Sequence, residues 1–179
     1  MKRWFIPVLA LMVLFSGCGG DEQQTSGTII LSSELYDSGS YYYALGLSFD
    51  EAGEVPTLPD QYRADIWLLA GQVTAGGPVV PFLTANNLNP PFALTGTYGS
   101  ETLAKNAFSE LRSVGSYTWI DLAEPLAATQ VWVVRTRDAG YAKLRIISVT
   151  LNTSVTPAIA TCSLEWVWQP DGSSTFPAK

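Results

Sequence analysis

The chain has 179 residues and a formal net charge of −6, with 16 acidic against 10 basic residues. An acidic protein repels the phosphate backbone, which argues against nucleic acid as a partner. The sequence contains no histidine, which excludes imidazole metal sites and Ser-His-Asp or Cys-His catalysis. No phosphate-binding glycine loop or metalloprotease motif is present, so we expect that the protein is not an enzyme. Carboxylate pairs that meet only in the fold are the remaining route to catalysis.

The N-terminal segment has the features of a bacterial lipoprotein signal peptide. Lys2 and Arg3 precede an apolar run over residues 4–15, shorter than the roughly 18 residues that argue for a membrane span. The run ends in Leu-Phe-Ser-Gly-Cys, which resembles the lipobox, whose cysteine is acylated and becomes the mature N-terminus. We therefore expect a signal peptide over residues 1–17 and attachment to a membrane through a lipid on Cys18.

The mature chain is expected to begin with a tether and to continue as one domain. Residues 18–27 are small and polar after the cysteine, as in a flexible linker, and the domain is expected over residues 28–179. Removal of the signal peptide leaves 8 basic and 16 acidic residues, a net charge of −8. With Cys18 acylated, Cys162 is the remaining thiol, so no intrachain disulfide is expected. Its place on an apolar strand face favours a buried, unreactive side chain.

The first half of the domain predicts short β-strands separated by turn-forming residues. A strand is expected to begin at Thr28, and residues 41–48 alternate as a strand that is aromatic on at least one face. Residues 50–60 carry acids, prolines and a glycine, which is typical of an exposed loop. Residues 62–70 predict a central strand, because both of its faces become apolar toward the end.

Residues 71–100 differ from the rest because glycine, proline and asparagine interrupt them repeatedly. They predict either strand edges joined by long loops or a functional excursion from the core. One short helix is expected near residues 100–113, with Ser100 as its N-cap. A further strand is expected over residues 117–122.

The strongest structural signal is a β-hairpin over residues 130–149. Two β-rich runs, QVWVVRTR and YAKLRIISV, flank Asp-Ala-Gly, whose glycine can take a positive φ. One face of the second run is apolar, whereas Lys143 and Arg145 on the other face are expected to point to solvent. Residues 161–168 repeat this alternation and predict a third strand. Together the patterns predict a mainly β fold, a single antiparallel β-rich domain with one short helix.

The hairpin also concentrates positive charge on an acidic chain, at Arg135, Arg137, Lys143 and Arg145. Such a cluster can receive a carboxylate or phosphate ligand. It can also form a solvated strand face balanced by Glu165. The alternation of charged and apolar residues favours the solvated face.

An ordered run of motifs, strongest in the C-terminal third, carries a family resemblance. Val-Val-Arg-Thr at residues 133–136 is followed by a glycine-containing turn and by Tyr-Ala-Lys-Leu at residues 141–144. Glu-Trp-Val-Trp-Gln-Pro-Asp-Gly-Ser occupies residues 165–173, and Asp65-Ile66 lies upstream. With the lipobox, this run resembles the HmuY family of bacterial haem-binding lipoproteins. The resemblance implies a β-dominated domain whose loops close over haem, on an outer-surface lipoprotein that serves an outer-membrane transporter.

The haem site itself does not carry over from the resemblance. Members of that family hold haem through His or Met, whereas this chain has no His and its two Met residues, Met1 and Met12, lie in the signal peptide. Haem as a cofactor therefore rests on the resemblance alone. Aromatic side chains can still hold a flat ligand by stacking. The candidate ligand-binding residues are Tyr98, Phe82, Phe92, Tyr41 and Tyr43.

These observations predict a lipoprotein at the outer membrane or cell surface. It is expected to bind haem, another tetrapyrrole or another small flat ligand without His or Met ligation. The alternative is a structural or protein-interaction lipoprotein of the envelope that has lost ligand binding. Gly19 follows the lipidated cysteine, where an Asp would retain a lipoprotein at the inner membrane of enteric bacteria, and this favours the outer membrane.

Overall fold

The computed structural model describes residues 23–58, 61, 63–86 and 89–177 of the chain. The expected signal peptide and the lipidation site Cys18 lie outside the described residues. Within them the protein is mainly β, with antiparallel sheets and one short α-helix, so the predicted fold class is confirmed.

The elements follow one another along the chain as short strands interrupted once by the helix. They are β1 (Ser26–Ser32), β2 (Tyr36–Asp37), β3 (Tyr42–Tyr43), β4 (Leu45–Ser48), β5 (Gly53–Pro56), β6 (Ile66–Gln72), β7 (Val79–Ala85), β8 (Phe92–Thr97), α1 (Glu101–Glu110), β9 (Gln130–Arg135), β10 (Tyr141–Asn152) and β11 (Ile159–Gln169). The longest strands, β10 and β11, lie in the C-terminal third.

Two sheets pack face to face as a β-sandwich. The five-stranded sheet has the order β1-β11-β10-β9-β8 and the four-stranded sheet the order β5-β4-β6-β7. β11 packs on β6 and β10 packs on β7. Apolar side chains from both sheets, among them Leu47, Ile66, Leu68, Leu144 and Trp166, are almost fully buried in one shared core. Packing of inward-facing apolar side chains from the two sheets is what stabilises sandwich folds.

Helix α1 covers the outer face of the five-stranded sheet. Its N-cap is Ser100, as predicted, and the Ser100 side chain accepts a hydrogen bond from the backbone N–H of Leu103. Phe108 on the helix packs against Val131 of β9 and Val167 of β11, which forms a second, smaller core. The five-stranded sheet is therefore buried on both sides where the helix crosses it.

This helix overturns the expectation that Lys143 and Arg145 point to solvent. Their exposed fractions are 1 % and 5 %. Nζ of Lys143 donates to the carbonyl oxygens of Phe108 at 2.7 Å and Leu111 at 2.8 Å, at the C-terminal end of α1. Nε of Arg145 donates to Glu165 at 3.0 Å. A lysine can be buried at position 143 because the C-terminal end of the helix offers backbone carbonyls that lack a partner within the helix.

The structure also decides three further expectations. β1 begins at Ser26, which pairs with Val167, so the strand includes two residues that were assigned to the tether. Residues 71–100 contain β7 and β8, so of the two alternatives the one with strands joined by loops is correct. Residues 117–122 form no strand, and Ile120 makes only an isolated bridge to β8.

The central hairpin has the predicted strands, with one change in its turn. The residue with a left-handed backbone is Ala139, at φ 60°, and not Gly140. Gly140 is favoured for a different reason: a Cβ there would make tight contacts, 3.1 Å from Oγ1 of Thr136 and 3.2 Å from the carbonyl oxygen of Gln169. The glycine thus allows the hairpin turn to lie close against the end of β11.

Candidate binding sites

A cavity of about 480 Å³ lies between the β2–β3 hairpin and the turn that joins β10 to β11, and we call it the tyrosine cleft. It is lined by Ser33, Glu34, Leu35, Tyr42, Val155, Thr156, Pro157 and Ile159. Three of these side chains are large, apolar or aromatic, and exposed: Tyr42 at 73 %, Leu35 at 44 % and Val155 at 41 %. Exposed apolar side chains around a concave surface are typical of binding sites.

The tyrosine wall of the cleft is a small hairpin with its own hydrogen bonds. Tyr36 of β2 pairs with Tyr43 of β3, and their ring centres are 5.8 Å apart. In the turn, the backbone N–H of Ser38 donates to the carbonyl oxygen of Tyr41 at 3.0 Å. The two tyrosines next to this turn are accessible, since Tyr41 is 60 % and Tyr42 73 % exposed.

The opposite wall of the cleft, which is the turn between β10 and β11, is held in place through Ser33. The backbone N–H of Ser33 donates to the carbonyl oxygen of Ala160 at 3.0 Å, and the Ser33 side chain accepts from the N–H of Ala160 at 2.8 Å. Residue pairing of β10 and β11 continues to Asn152 and Ile159, at the edge of the cleft. The cleft is therefore built from residues more than a hundred positions apart, held together by backbone pairing.

The two tyrosines of this hairpin that the sequence predicted as ligand-binding residues do not line the cleft themselves. Tyr41 is 60 % exposed beside the cleft and Tyr43 stacks on Tyr36, whereas the tyrosine that lines the cleft is Tyr42. In one continuous strand over residues 41–48, as the alternation predicts, Tyr42 would lie on the face opposite to Tyr41 and Tyr43. The strand is in fact broken after Tyr43, and three consecutive tyrosines were the only local signal for this surface.

The other aromatic candidates lie elsewhere and do not meet this hairpin. Phe82 is half-buried in β7, and Tyr98 packs against the helix cluster of the outer core. Phe92 is 0 % exposed, and its ring lies 6.4 Å from that of Trp132 in a T-shaped contact. The expectation that Phe92 contacts a ligand is therefore corrected, because this side chain belongs to the core between the sheets.

A second cavity, of about 450 Å³, lies at the turn between β9 and β10, and we call it the arginine cavity. It is lined by Asn86, Asn89, Arg135, Thr136, Arg137, Ala139, Gly140 and Tyr141. This set contains two guanidinium groups and no carboxylate. Of the four cations in the hairpin, Arg135 and Arg137 reach the cavity, while the other two are buried under α1. The two cavities lie at opposite ends of β10.

Arg135 is held on an aromatic platform. Its guanidinium carbon lies 3.9 Å from the centre of the Trp119 ring, and Nη1 donates to the carbonyl oxygen of Pro90 at 3.0 Å. The ring of Tyr141 lies 6.3 Å from that of Trp119. Trp119 was expected within a strand, so its role under Arg135 could not be derived from the sequence.

Arg137 is held by a buried aspartate and two more exposed ones. Its backbone N–H donates to Oδ1 of Asp65 at 3.0 Å, and its side chain pairs with Asp50 at 2.7 Å and Asp138 at 3.2 Å. Oδ2 of Asp65 accepts from the N–H of Phe49 at 2.9 Å. Burial raises the pKa of the Asp65 carboxyl, while the two backbone amides and Arg137 act in the opposite direction. Asp65 thus joins the four-stranded sheet to the hairpin turn.

The described residues contain neither a cluster of metal-ligating side chains nor an exposed thiol. None of them form a group of three or more His, Cys, Asp or Glu that could hold a metal ion. Cys162 is fully buried, and burial raises the pKa of its thiol to about 12. Such a thiol stays protonated at neutral pH, in agreement with the small buried side chain expected at this position.

No family model matches the chain, and no curated protein matches it. In the part of the chain that the structure describes, no helix is both long and apolar enough to cross a membrane. The fold and the two cavities define an antiparallel β-sandwich with an apolar cleft at one end of β10 and a cationic cavity at the other.

Proposed function

We propose that the protein is a surface-anchored bacterial envelope lipoprotein that binds a small flat ligand in the tyrosine cleft. The observation that carries the proposal is the exposure of Tyr42, 73 %, on the wall of a cavity of about 480 Å³. An aromatic face at a concave, largely apolar surface is a platform for stacking. Binding would cover Tyr42, Leu35 and Val155 and remove their apolar surface from water.

The lipid anchor rests on the sequence rather than on the fold. The lipobox that ends at Cys18 follows a basic start and a short apolar run, and a polar tether follows it. The resemblance to the HmuY family supports the same location, at the outer membrane or cell surface. A protein with this anchor would present the tyrosine cleft to molecules near the membrane.

The residues of the tyrosine cleft do not fit haem ligated through its iron. The chain has no His, both Met residues precede the mature protein, and the Cys162 thiol is buried in the core. Tyr42 is the one lining residue of a type that ligates haem iron. The lining includes Glu34 but no Lys or Arg to pair with haem carboxylates. The ligand proposed here is therefore a planar, largely apolar molecule held by stacking.

Replacing Tyr42 with alanine is expected to weaken the binding of a flat probe by about tenfold or more, because the stacking face and its buried area are lost. The probe is N-phenyl-1-naphthylamine, a neutral planar fluorophore, titrated into the mature chain with Cys18 replaced by alanine. The matched control is Tyr41→Ala, since Tyr41 is also exposed but does not line the cleft. Equal losses in the two variants would contradict the assignment to the cleft.

Haemin and metal-free protoporphyrin serve as two further probes in the same titration. A saturable Soret shift with haemin that disappears in Tyr42→Ala would show that the cleft accepts haem despite its donor set. If none of the three probes binds saturably, flat-ligand binding is excluded. The exposed Leu35, Tyr41 and Val155 would then favour the alternative, an envelope lipoprotein whose cleft docks a partner protein.

The lipid anchor has its own test. We expect Cys18→Ala to abolish incorporation of labelled fatty acid and to move the protein from the membrane fraction to the soluble fraction, because the acyl chains supply the membrane affinity. Cys162→Ala is the matched control, since its thiol is buried and it should remain in the membrane fraction. Membrane sedimentation of the Cys18→Ala chain would contradict the lipid anchor.

A further inference from the structure

We propose that the arginine cavity is a binding site for a small oxyanion, a carboxylate or phosphate group, separate from the tyrosine cleft. Two guanidinium groups and two carboxamides line it, together with one hydroxyl and one phenol. Its volume of about 450 Å³ lies within the range of roughly 300–1,000 Å³ that is usual for small-molecule sites. On a chain of net charge −6, the described lining residues include two cations and no acid, which favours anions over cations as ligands.

The first arginine is oriented before a ligand arrives. Stacking on Trp119 at 3.9 Å uses the face of the Arg135 guanidinium, and the hydrogen bond to Pro90 fixes its direction. The N–H groups of a guanidinium lie in its plane, so stacking does not compete with hydrogen bonds at its edge. Planar donors of this kind match the two oxygens of a carboxylate or phosphate.

The second arginine is fixed by contacts on all three of its nitrogens. Nη2 pairs with Asp50, Nε pairs with Asp138, and Nη1 donates to the backbone carbonyl of Arg63. These acids offset part of the charge of Arg137, and they also hold its side chain at the wall of the cavity, where its exposed fraction is 20 %. A side chain already held in place loses less conformational entropy when a ligand binds.

The backbone at the cavity is equally constrained. Oγ1 of Thr136, a residue that is 2 % exposed, accepts from the N–H of Gly140 at 3.1 Å, which closes the turn. Nε1 of Trp168 is buried and has no acceptor within the described residues. A Cβ on Gly140 would lie 3.6 Å from that nitrogen. A buried N–H without an acceptor therefore lies beside Gly140, a residue of the cavity lining.

The proposal is tested by titrating the ¹⁵N-labelled mature Cys18→Ala chain with inorganic phosphate and, separately, with acetate at constant ionic strength. The side-chain Nε resonances of Arg135 and Arg137 and the indole resonance of Trp119 report binding. Saturable shifts at these three positions are expected with at least one anion, and the tighter of the two identifies the ligand class. Absence of saturable shifts with both anions would overturn the proposal.

Two variants and a matched control locate the site. Arg135→Gln removes one cation and is expected to weaken binding at least tenfold. Asn86→Asp places a carboxylate in the lining and leaves both arginines in place, and the same loss of affinity is expected. This second variant keeps the test valid if Arg135→Gln does not fold. Arg112→Gln removes the same charge from an exposed residue that does not line the cavity, and less than a twofold change is expected. Equal weakening by Arg112→Gln and Arg135→Gln would show a general charge effect and overturn the site.

Discussion

Replacement of Asp65 by alanine is expected to lower the free energy of unfolding by about 2–4 kcal/mol, because two backbone donors, one buried and one partly buried, lose their acceptor. The Asp65 side chain accepts from the N–H groups of Phe49 at 2.9 Å and Arg137 at 3.0 Å, and the residue is 3 % exposed. Water cannot easily replace a carboxylate at this depth. The variant therefore leaves both amides without a partner and loosens the contact between the four-stranded sheet and the hairpin turn.

The measurement is urea unfolding of the Cys18→Ala chain, followed by tryptophan fluorescence. Asp138→Ala is the matched control, since Asp138 pairs with the same Arg137 side chain at 3.2 Å but is 69 % exposed at its side chain. Exposed ion pairs contribute little, so a change below about 1 kcal/mol is expected for the control. A loss in Asp65→Ala no greater than in Asp138→Ala would contradict the anchoring role of Asp65.

The difference in stability between wild type and Asp65→Ala is expected to depend on pH. Burial raises the pKa of the Asp65 carboxyl in the folded protein, so the folded state binds this proton more tightly than the unfolded state. The stability that Asp65 contributes by this route is present below the ordinary pKa of an aspartate and is lost as pH rises through the raised value. The difference between wild type and Asp65→Ala is therefore expected to be larger at pH 4 than at pH 7.

The hairpin shows what the sequence could predict and what it could not. β9 and β10 were predictable because their alternation and their turn are local properties. The burial of Lys143 and Arg145 was not, because α1, more than thirty residues earlier, covers that face. An alternating strand shows that one of its faces is polar, but a helix end can bury that face if it supplies acceptors for the cations.

The two cavities also differ in how much of each could be predicted from the sequence. The sequence grouped Arg135 and Arg137 with two other cations and favoured a solvated strand face, whereas in the structure these two arginines line a cavity. The tyrosine cleft was only partly visible, because three consecutive tyrosines marked one wall while Val155 and its neighbours, distant in the sequence, form the other. The part of a site that lies within one hairpin is therefore more accessible to sequence reasoning than the parts supplied by distant segments.

Lys143→Met is expected to lower the free energy of unfolding by about 2–3 kcal/mol, because two charge-assisted hydrogen bonds are lost and their carbonyl acceptors, one buried and one partly buried, lose the ammonium donor. Nζ of Lys143 lies 2.7 Å from the carbonyl oxygen of Phe108 and 2.8 Å from that of Leu111, and 4.8 Å from the Phe108 ring. Methionine keeps a long, flexible apolar side chain, so the loss reports mainly the ammonium group. The measurement is thermal and urea unfolding of the Cys18→Ala chain.

Lys105→Met is the matched control, because Lys105 lies on the exposed side of the same helix and its replacement is expected to change stability by less than about 0.5 kcal/mol. Buried cations can be replaced by apolar residues without loss when both partners are removed together. Here one partner is a pair of backbone carbonyls that no substitution removes. Amide exchange should therefore quicken first in the last turn of α1, and a Lys143→Met chain as stable as wild type would show that the cation does not hold the helix to the sheet.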